Sequence, residues 1–440
     1  MLNEKDFEIQ MLGKADILSP FKLSTTRGDG IANFVEDYTK IPYCLISPCT
    51  PGAEGLFFEH AGPREKIYFQ PKDVTAAIMT CGGLCPGLNN AIRSIVMQLF
   101  YKYNVRKILG IRYGQKGLDP SFGHEPIKLT PEGVVKIHEI GGSFLGTSRG
   151  KVDPGVMVDS LVKYNINILL CLGGDGTQKG LHEIYKVIEK RKLKIAVVGI
   201  PKTIDNDISY VYKTFGLDTA VTVAKEAVRS AHCEAESAYN GIGLVKVMGR
   251  QSGYIAALTT LANNDVNMCL IPEIPFDLHG NGAFLKVLEA RLASRHHAVI
   301  VIAEGAGQEL FTNEKGVQIY DASGNVRMND IGLLLKKKII EYFKDKQIPV
   351  DLKYIDPSYM IRSVPTNAND SIFAAELGRM GVDAAMTGKT DILIGYWHNQ
   401  FTHVPLPLAI SKRKQISPEG ELWREVLTAT GQPISLKAQK

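Results

Sequence analysis

From Val74 onward, short apolar runs alternate with longer stretches in which apolar residues return every three or four positions. Runs of the first kind read as buried parallel strands and stretches of the second as crossover helices, so the pattern predicts an α/β chain. The runs predict strands over Val74 to Met79, Ile108 to Arg112, Ile166 to Leu172, Ile195 to Ile200, Leu244 to Met248, Met268 to Ile271, Ala298 to Ala303 and Ile392 to Trp397. Between them the spacing predicts helices over Asn89 to Tyr103, Gly180 to Arg191, Ala283 to Ser294 and Ile331 to Lys344, each with one apolar face. The first 70 residues hold Ser, Thr, Gly and Pro clusters with little periodicity, and read as an extension wrapping the first domain. At 440 residues the chain exceeds what one core organises, and this many elements fill two doubly wound, Rossmann-like domains with a cleft between them.

Composition narrows the class. An apolar fraction of 45% and a charged fraction of 22% are those of a folded globular protein rather than a disordered one. The net charge of +5 is mild and forms no basic tract, which gives no support to a nucleic-acid partner. Its meaning is local: a few cations in a cleft that attracts phosphorylated substrates. No apolar stretch approaches the roughly 18 residues of a membrane span, and MLNEKDFEIQ does not read as a cleaved leader, so a cytoplasmic protein without a membrane partner is expected. Seven cysteines, an odd and scattered set, read as reduced thiols. Cys81 and Cys85 flank a glycine turn, with no second pair or His cluster to complete a zinc site.

Three segments at strand ends carry candidate chemistry. After the first strand comes Thr80-Cys81-Gly82-Gly83-Leu84-Cys85-Pro86-Gly87-Leu88-Asn89-Asn90. Glycines between a strand and a helix leave amides bare for a phosphate under the helix dipole, although a tight turn needs no ligand to exist. The second is Leu172-Gly173-Gly174-Asp175-Gly176-Thr177, where a carboxylate among glycines could ligate Mg²⁺ beside amides that hold phosphate. An Asp needed only as a cap would not require glycine on both sides. The third is Pro201-Lys202-Thr203-Ile204-Asp205-Asn206-Asp207. Carboxylates two apart project to one side of an extended segment, and Lys202 and Thr203 add a cation and a hydroxyl, so a base and a metal ligand could both lie here. Met248-Gly249-Arg250, Glu304 and Tyr359-Met360-Ile361-Arg362 supply further polar groups, each unremarkable alone.

Taken together and in this order, these motifs resemble the phosphofructokinase family from roughly Gly62 to Pro433. The long variant of trypanosomatids and plants is most similar, judging by Ala61-Gly62-Pro63-Arg64, Cys-Gly-Gly-Leu-Cys-Pro-Gly and Asp356-Pro357-Ser358-Tyr359-Met360-Ile361-Arg362-Ser363. The resemblance implies an ATP-dependent 6-phosphofructokinase with Mg²⁺ as cofactor, ATP and fructose 6-phosphate as partners, its active site in the cleft, and a homodimeric or homotetrameric assembly. It implies that Gly82 contacts nucleotide phosphates through its backbone, that Arg149 reaches the transferred phosphoryl group with the adjoining Gly150 binding the nucleotide, and that Asp175 holds Mg²⁺. Gly174, Gly176 and Thr177 would bed the nucleotide. Asp205 would take the sugar proton, with Thr203 and Ile204 beside it and Asp207 a supporting acid.

On the sugar side the resemblance implies a pocket of Met248, Gly249, Arg250 and Glu304. The segment Tyr359, Met360, Ile361, Arg362 would grip the 6-phosphate end. Tyr359 stands where bacterial relatives commonly have His, and Lys353 where they place an Arg. Gly241 stands where short bacterial enzymes supply an Arg from a neighbouring subunit, which puts a shared site in doubt. Glu273 lies where those enzymes build an effector site, and is equally well explained as a solvated loop residue. The expected division is residues 1–70 as extension, 71–216 with 361–412 as nucleotide domain, 217–360 as sugar-phosphate domain and 413–440 as a C-terminal segment.

Phosphoryl transfer needs alignment, charge neutralisation and a base near the attacking hydroxyl, and the motifs offer all three. The donor is ATP or pyrophosphate. Pyrophosphate-using relatives usually carry Asp at the position of Gly176, whose side chain would crowd the α-phosphate. Lys202 matches those relatives, but a long Lys can swing aside, so Gly176 favours ATP. Other readings are sedoheptulose 7-phosphate as acceptor and a catalytically silent regulatory homologue. Lipid and NAD kinases have a loop similar to Gly-Gly-Asp-Gly-Thr; the two later motifs favour the sugar phosphate.

Overall fold

The computed structural model describes residues 2–46, 49, 52–311 and 328–439. In chain order, the two large sheets are built from β1 (Lys40–Pro42), β2 (Phe57–His60), β3 (Thr75–Thr80), β4 (Lys107–Ile111), β5 (Ile127–Lys128), β6 (Ile168–Gly173), β7 (Ala196–Pro201), β8 (Gly241–Val247), β9 (Met268–Leu270), β10 (His297–Ala303), β11 (Asp351–Ile355), β12 (Ile392–Trp397) and β13 (Gln400–Pro405). The helices that bear on the site are α1 (Leu88–Met97), α2 (Asp175–Lys190), α3 (Leu217–Glu236), α4 (Tyr254–Asn263), α5 (Phe284–Arg295), α6 (Ala368–Met386) and α7 (Glu421–Thr430). Two compact units contain them: one of Met1–Thr203, Ile208–Gly216 and Ser363–Arg413, the other of Ile204–Asp207, Leu217–Arg362 and Lys414–Lys440.

In the first unit the nine-stranded sheet runs β1-β2-β13-β12-β7-β6-β3-β4-β5. Its centre, from β12 to β4, is parallel, and β3, β6 and β7 are buried at every residue. That explains why they appear in sequence as unbroken apolar runs rather than as alternation. The chain leaves β3 toward β4 on one side and returns to β6 on the other, so the strand order reverses between β3 and β6. The crevice at such a reversal, outside the carboxyl ends of the strands, is where open α/β sheets bind ligands.

The N-terminal extension does more than wrap. β1 and β2 add antiparallel edge strands beside β13, and Phe7 and Phe58 enter the unit's core with ring centroids 4.9 Å apart. The buried Arg64 bonds Asp37 and Glu59, each at 3.0 Å, and fixes the extension to itself and to the sheet edge. One expectation fails here. Cys44 and Cys49, five residues apart, are joined as a disulfide, their Cα atoms 6.0 Å apart. Among the described residues, Cys81, Cys85, Cys171 and Cys269 remain buried thiols and Cys233 an exposed one. No helix among the described residues is long and apolar enough to cross a membrane.

In the second unit the four-stranded sheet runs β9-β10-β8-β11, all parallel. Its core gathers Ile242 and Leu244 of β8, Ile300 and Ile302 of β10, and Phe284, Leu285 and Leu288 of α5. β8 and β10 are adjacent over their whole length, so the turns that follow them open side by side.

Candidate active site

Within the first unit, β3 and β6 end in register, with Thr80 opposite Leu172, and two glycine segments emerge next to each other. Thr80 Oγ1 donates to the Gly146 carbonyl at 2.7 Å, tying the first turn to the loop that carries Arg149. Gly82 takes a φ of +83°, a left-handed conformation that favours glycine. Its amide is not bare as expected, since it donates to the Ser148 carbonyl at 3.2 Å. What glycine supplies is the missing side chain: a Cβ would stand 3.4 Å from Lys202 Nζ and 4.0 Å from Thr177 Oγ1. Gly82, Thr177 and Lys202 thus share one corner. Lys202 is only 4% exposed, and its ammonium donates to the Gly83 carbonyl at 2.6 Å. It is pinned to the glycine turn rather than a side chain that swings aside. Arg149 and Gly150 lie exposed on the neighbouring loop.

α2 begins at Asp175, five residues before the predicted start at Gly180. The glycines mask the first turn in sequence because they are poor helix formers. Gly174 caps the helix in an extended conformation, Asp175 is its first residue, and Asp175 and Thr177 are buried there. Two cations reach one oxygen of this carboxylate: Lys179 Nζ lies 3.0 Å from Asp175 Oδ2, while Arg413 Nη2 and Nε lie 3.0 and 3.2 Å from the same atom. A Cβ on Gly176 would meet nothing within 4 Å, so packing does not demand glycine at that position.

The segment after β7 divides between the units, Thr203 falling to the first and Ile204–Asp207 to the second. The Thr203 carbonyl accepts Thr214 Oγ1 at 2.7 Å. Asn206 has a φ of +53°, so the stretch is not extended and the spacing of two between Asp205 and Asp207 does not place them on one side of a strand. In the second unit the Asp205 carbonyl accepts the buried Ser252 Oγ at 2.6 Å, and the Asp207 carbonyl accepts the Lys414 amide at 3.1 Å. Both carboxylates are half-buried, and Ile204 is buried.

Also in the second unit, the turns after β8 and β10 interlock. The Glu304 amide donates to Val247 O at 2.9 Å and the Gly305 amide to Gly249 O at 3.1 Å. Gly249 needs to be glycine: its φ is +131°, and a Cβ would stand 2.6 Å from Ser252 O. Met248-Gly249-Arg250 therefore sits beside Glu304, whose carboxyl is raised by burial, against the pull of Arg250, Lys246 and Arg362. Lys246, which sequence reading passed over inside β8, pairs with Asp330 and Asp356, each at 2.9 Å. Tyr359 and Met360 are 71% and 66% exposed, with the Arg362 guanidinium 4.9 Å from the Tyr359 ring centroid. Ile361 is fully buried, so its side chain anchors the segment.

Three uncertain positions resolve. Glu273 is no solvated loop residue: Oε1 accepts the Gly253 amide at 3.0 Å and the Ile416 amide at 2.9 Å, latching the start of α4 to the C-terminal segment. Lys353 pairs with Asp351 at 3.0 Å. At Gly241 a Cβ would lie 2.1 Å from the Ala235 carbonyl at the end of α3, so no side chain fits there. Sequence reading also missed Lys179, which the i,i+4 spacing from Asp175 reveals once the helix start is known, and Arg413, for which no local signal exists.

A family model described as Phosphofructokinase matches residues 75–385. The chain is 52% identical, over 440 residues and 98% of each chain, to the ATP-dependent 6-phosphofructokinase of Borreliella burgdorferi. It is 40% identical over 445 residues to that of Trypanosoma brucei brucei, covering 98% of this chain and 89% of the relative. The solved pyrophosphate-dependent phosphofructokinase of Marinobacter aquaeolei resembles it with a TM-score of 0.67, over 81% of this chain and 91% of its own, at 18% identity, a likeness of fold alone.

Proposed function

Since the chain belongs to the phosphofructokinase family, we propose that it transfers the γ-phosphoryl group of ATP to the 1-hydroxyl of fructose 6-phosphate, giving fructose 1,6-bisphosphate. The observation that carries this reading is the first turn of α2. There a buried carboxylate sits beside a glycine that the fold does not require, next to open space that a nucleotide phosphate can use.

Mg²⁺ fits Asp175. Among the described residues there is no cluster of three His, Cys, Asp or Glu to cage a metal, and a single carboxylate suits an ion that arrives on the nucleotide phosphates. When bound, Mg²⁺ offsets the charge on the donor phosphates. The protein's own part is then positional and electrostatic. Gly82, Gly150, Gly174, Gly176 and Thr177 bed the nucleotide, and Arg149 meets the moving phosphoryl group. Met248, Gly249, Arg250, Glu304, Tyr359 and Arg362 hold the sugar phosphate. Asp205 accepts the 1-hydroxyl proton as that oxygen attacks phosphorus, Thr203 steadies the transferred group, and Asp207 supports the base. Assembly as a homodimer or homotetramer and a cytoplasmic location complete the reading, the latter supported by the free thiols outside the Cys44–Cys49 bridge.

The test is fructose 1,6-bisphosphate formation from fructose 6-phosphate with Mg²⁺ and either ATP or pyrophosphate. Turnover with ATP supports the reading. Turnover with pyrophosphate alone overturns the donor, turnover with neither marks a silent homologue, and a higher kcat/KM for sedoheptulose 7-phosphate changes the acceptor.

A further inference from the structure

Arg413 has no place in the constellation above, yet it reaches the carboxylate proposed to hold the metal. It lies 238 positions along the chain from Asp175. The backbone delivers it there: Arg413 bridges Ile208 in antiparallel fashion, and the preceding carbonyl, of Lys412, accepts Ser209 Oγ at 2.8 Å. The segment that follows the catalytic loop therefore sets where the guanidinium lies. Nε and Nη2 both converge on Oδ2 of Asp175, at 3.2 and 3.0 Å, and Lys179 approaches that oxygen too, at 3.0 Å. Two donors of one planar group on a single oxygen hold that oxygen in place as well as offsetting its charge.

We infer that Arg413 is a positioning residue for the metal-holding carboxylate: by occupying Oδ2 it keeps Oδ1 for the ion that arrives with the nucleotide. Lys179 alone, a half-exposed ammonium on a flexible stem, neutralises without orienting. The inference rests on the proposal that Asp175 holds Mg²⁺. It assigns Arg413 no contact with substrate. Partners of metal ligands typically change metal affinity when they are removed, even though they never touch the ion.

The test uses the full-length chain with Arg413→Met, Arg413→Lys and Asp175→Asn, Mn²⁺ as the reporter ion, ADP as the nucleotide and no sugar. Water-proton relaxation gives the affinity for Mn²⁺–ADP, and ADP without metal is titrated in parallel. Arg413→Met is expected to weaken Mn²⁺–ADP binding by about 10- to 100-fold while metal-free ADP binds as before. Arg413→Lys, keeping the charge but not the fork, recovers part of that loss; it carries the test by itself if the Met variant does not fold. Equal weakening of Mn²⁺–ADP and metal-free ADP overturns the inference, because Arg413 then acts on the nucleotide. Unchanged binding in both Arg413 variants while Asp175→Asn loses Mn²⁺–ADP also overturns it, and leaves the metal reading standing. Unchanged binding in Asp175→Asn overturns the metal reading and this inference with it.

Discussion

Lys202 holds the Gly83 carbonyl at 2.6 Å from a site only 4% open to solvent. A hydrogen bond from a charged donor contributes about 1.5–3 kcal/mol, and removing it leaves the half-buried Gly83 carbonyl with one fewer partner. Lys202→Met is therefore expected to lower stability by about 2 kcal/mol and to raise KM for ATP through a loosened glycine turn, without creating use of pyrophosphate. Urea unfolding and donor kinetics check both halves. An unchanged unfolding midpoint would show that the bond does not hold the turn.

Gly176 separates the demands of the fold from those of the donor. Its neighbourhood is open and its place is the first turn of a helix, so Gly176→Ala should fold at least as well, gaining up to about 1 kcal/mol in helix propensity. The added methyl should nonetheless lower kcat/KM for ATP, and Gly176→Asp should lower it much further, with KM for fructose 6-phosphate unmoved. Full ATP activity in Gly176→Asp would remove the main physical argument for ATP over pyrophosphate.

Much of this arrangement could be read from sequence, and the limits have physical causes. β3, β6 and β7 were legible because strands buried on both faces leave continuous apolar runs, and the glycine segments at their ends followed directly. β1 and β2, three and four residues long, leave too little pattern to detect, and β1 ends in proline. The i,i+2 argument for Asp205 and Asp207 failed at Asn206, because nothing in the order of residues announces a φ of +53° there. Arg413 opens what sequence divides off as a C-terminal segment, and nothing local marks it; only the bridge to Ile208 makes it a partner of Asp175. The Cys44–Cys49 bond was hidden by a count of cysteines, which says nothing about proximity.

Asp205 is predicted to act in the chemical step rather than in sugar binding. The Asp205 carbonyl accepts the Ser252 hydroxyl, a backbone contact that a change of side chain leaves in place. Asp205→Ser should reduce kcat by about 10²- to 10⁴-fold with little change in fructose 6-phosphate affinity. A variant that keeps most of its kcat would exclude Asp205 as the base.

Gly241 cannot be converted into the cation that short bacterial relatives place there. The Ala235 carbonyl lies 2.1 Å from where a Cβ would be, so either the end of α3 or the start of β8 must shift. Gly241→Ala is expected to cost about 1–3 kcal/mol, and Gly241→Arg more, with no gain in sugar affinity. Urea unfolding with fructose 6-phosphate titration measures both. A stable Arg variant that binds the sugar more tightly would show that the space exists after all.

The sheet edge that carries the N-terminal extension should fail in mild acid. His403 is fully buried, its Nδ1 lies 3.1 Å from Glu59 Oε1, and its Nε2 has no hydrogen-bond partner among the described residues. Burial pushes the imidazole down to about 4, so the folded protein keeps it neutral while the unfolded chain protonates it near 6.5. Between those values the unfolded state binds more protons, and stability falls as pH falls, by roughly 3 kcal/mol over the window. Burial alone would raise the Glu59 carboxyl, but hydrogen bonds from His403 and Lys389 outweigh it and hold the group well below the ordinary carboxylate range. That contribution is present above about pH 4.5 and is lost as pH falls further, so the two groups act in the same direction. Thermal midpoints measured from pH 7 to pH 4 should drop steadily. His403→Leu, which removes the titrating ring and leaves Glu59 with Arg64 and Lys389, should flatten the slope between pH 6.5 and 4.5; an unchanged slope would place the acid sensitivity elsewhere.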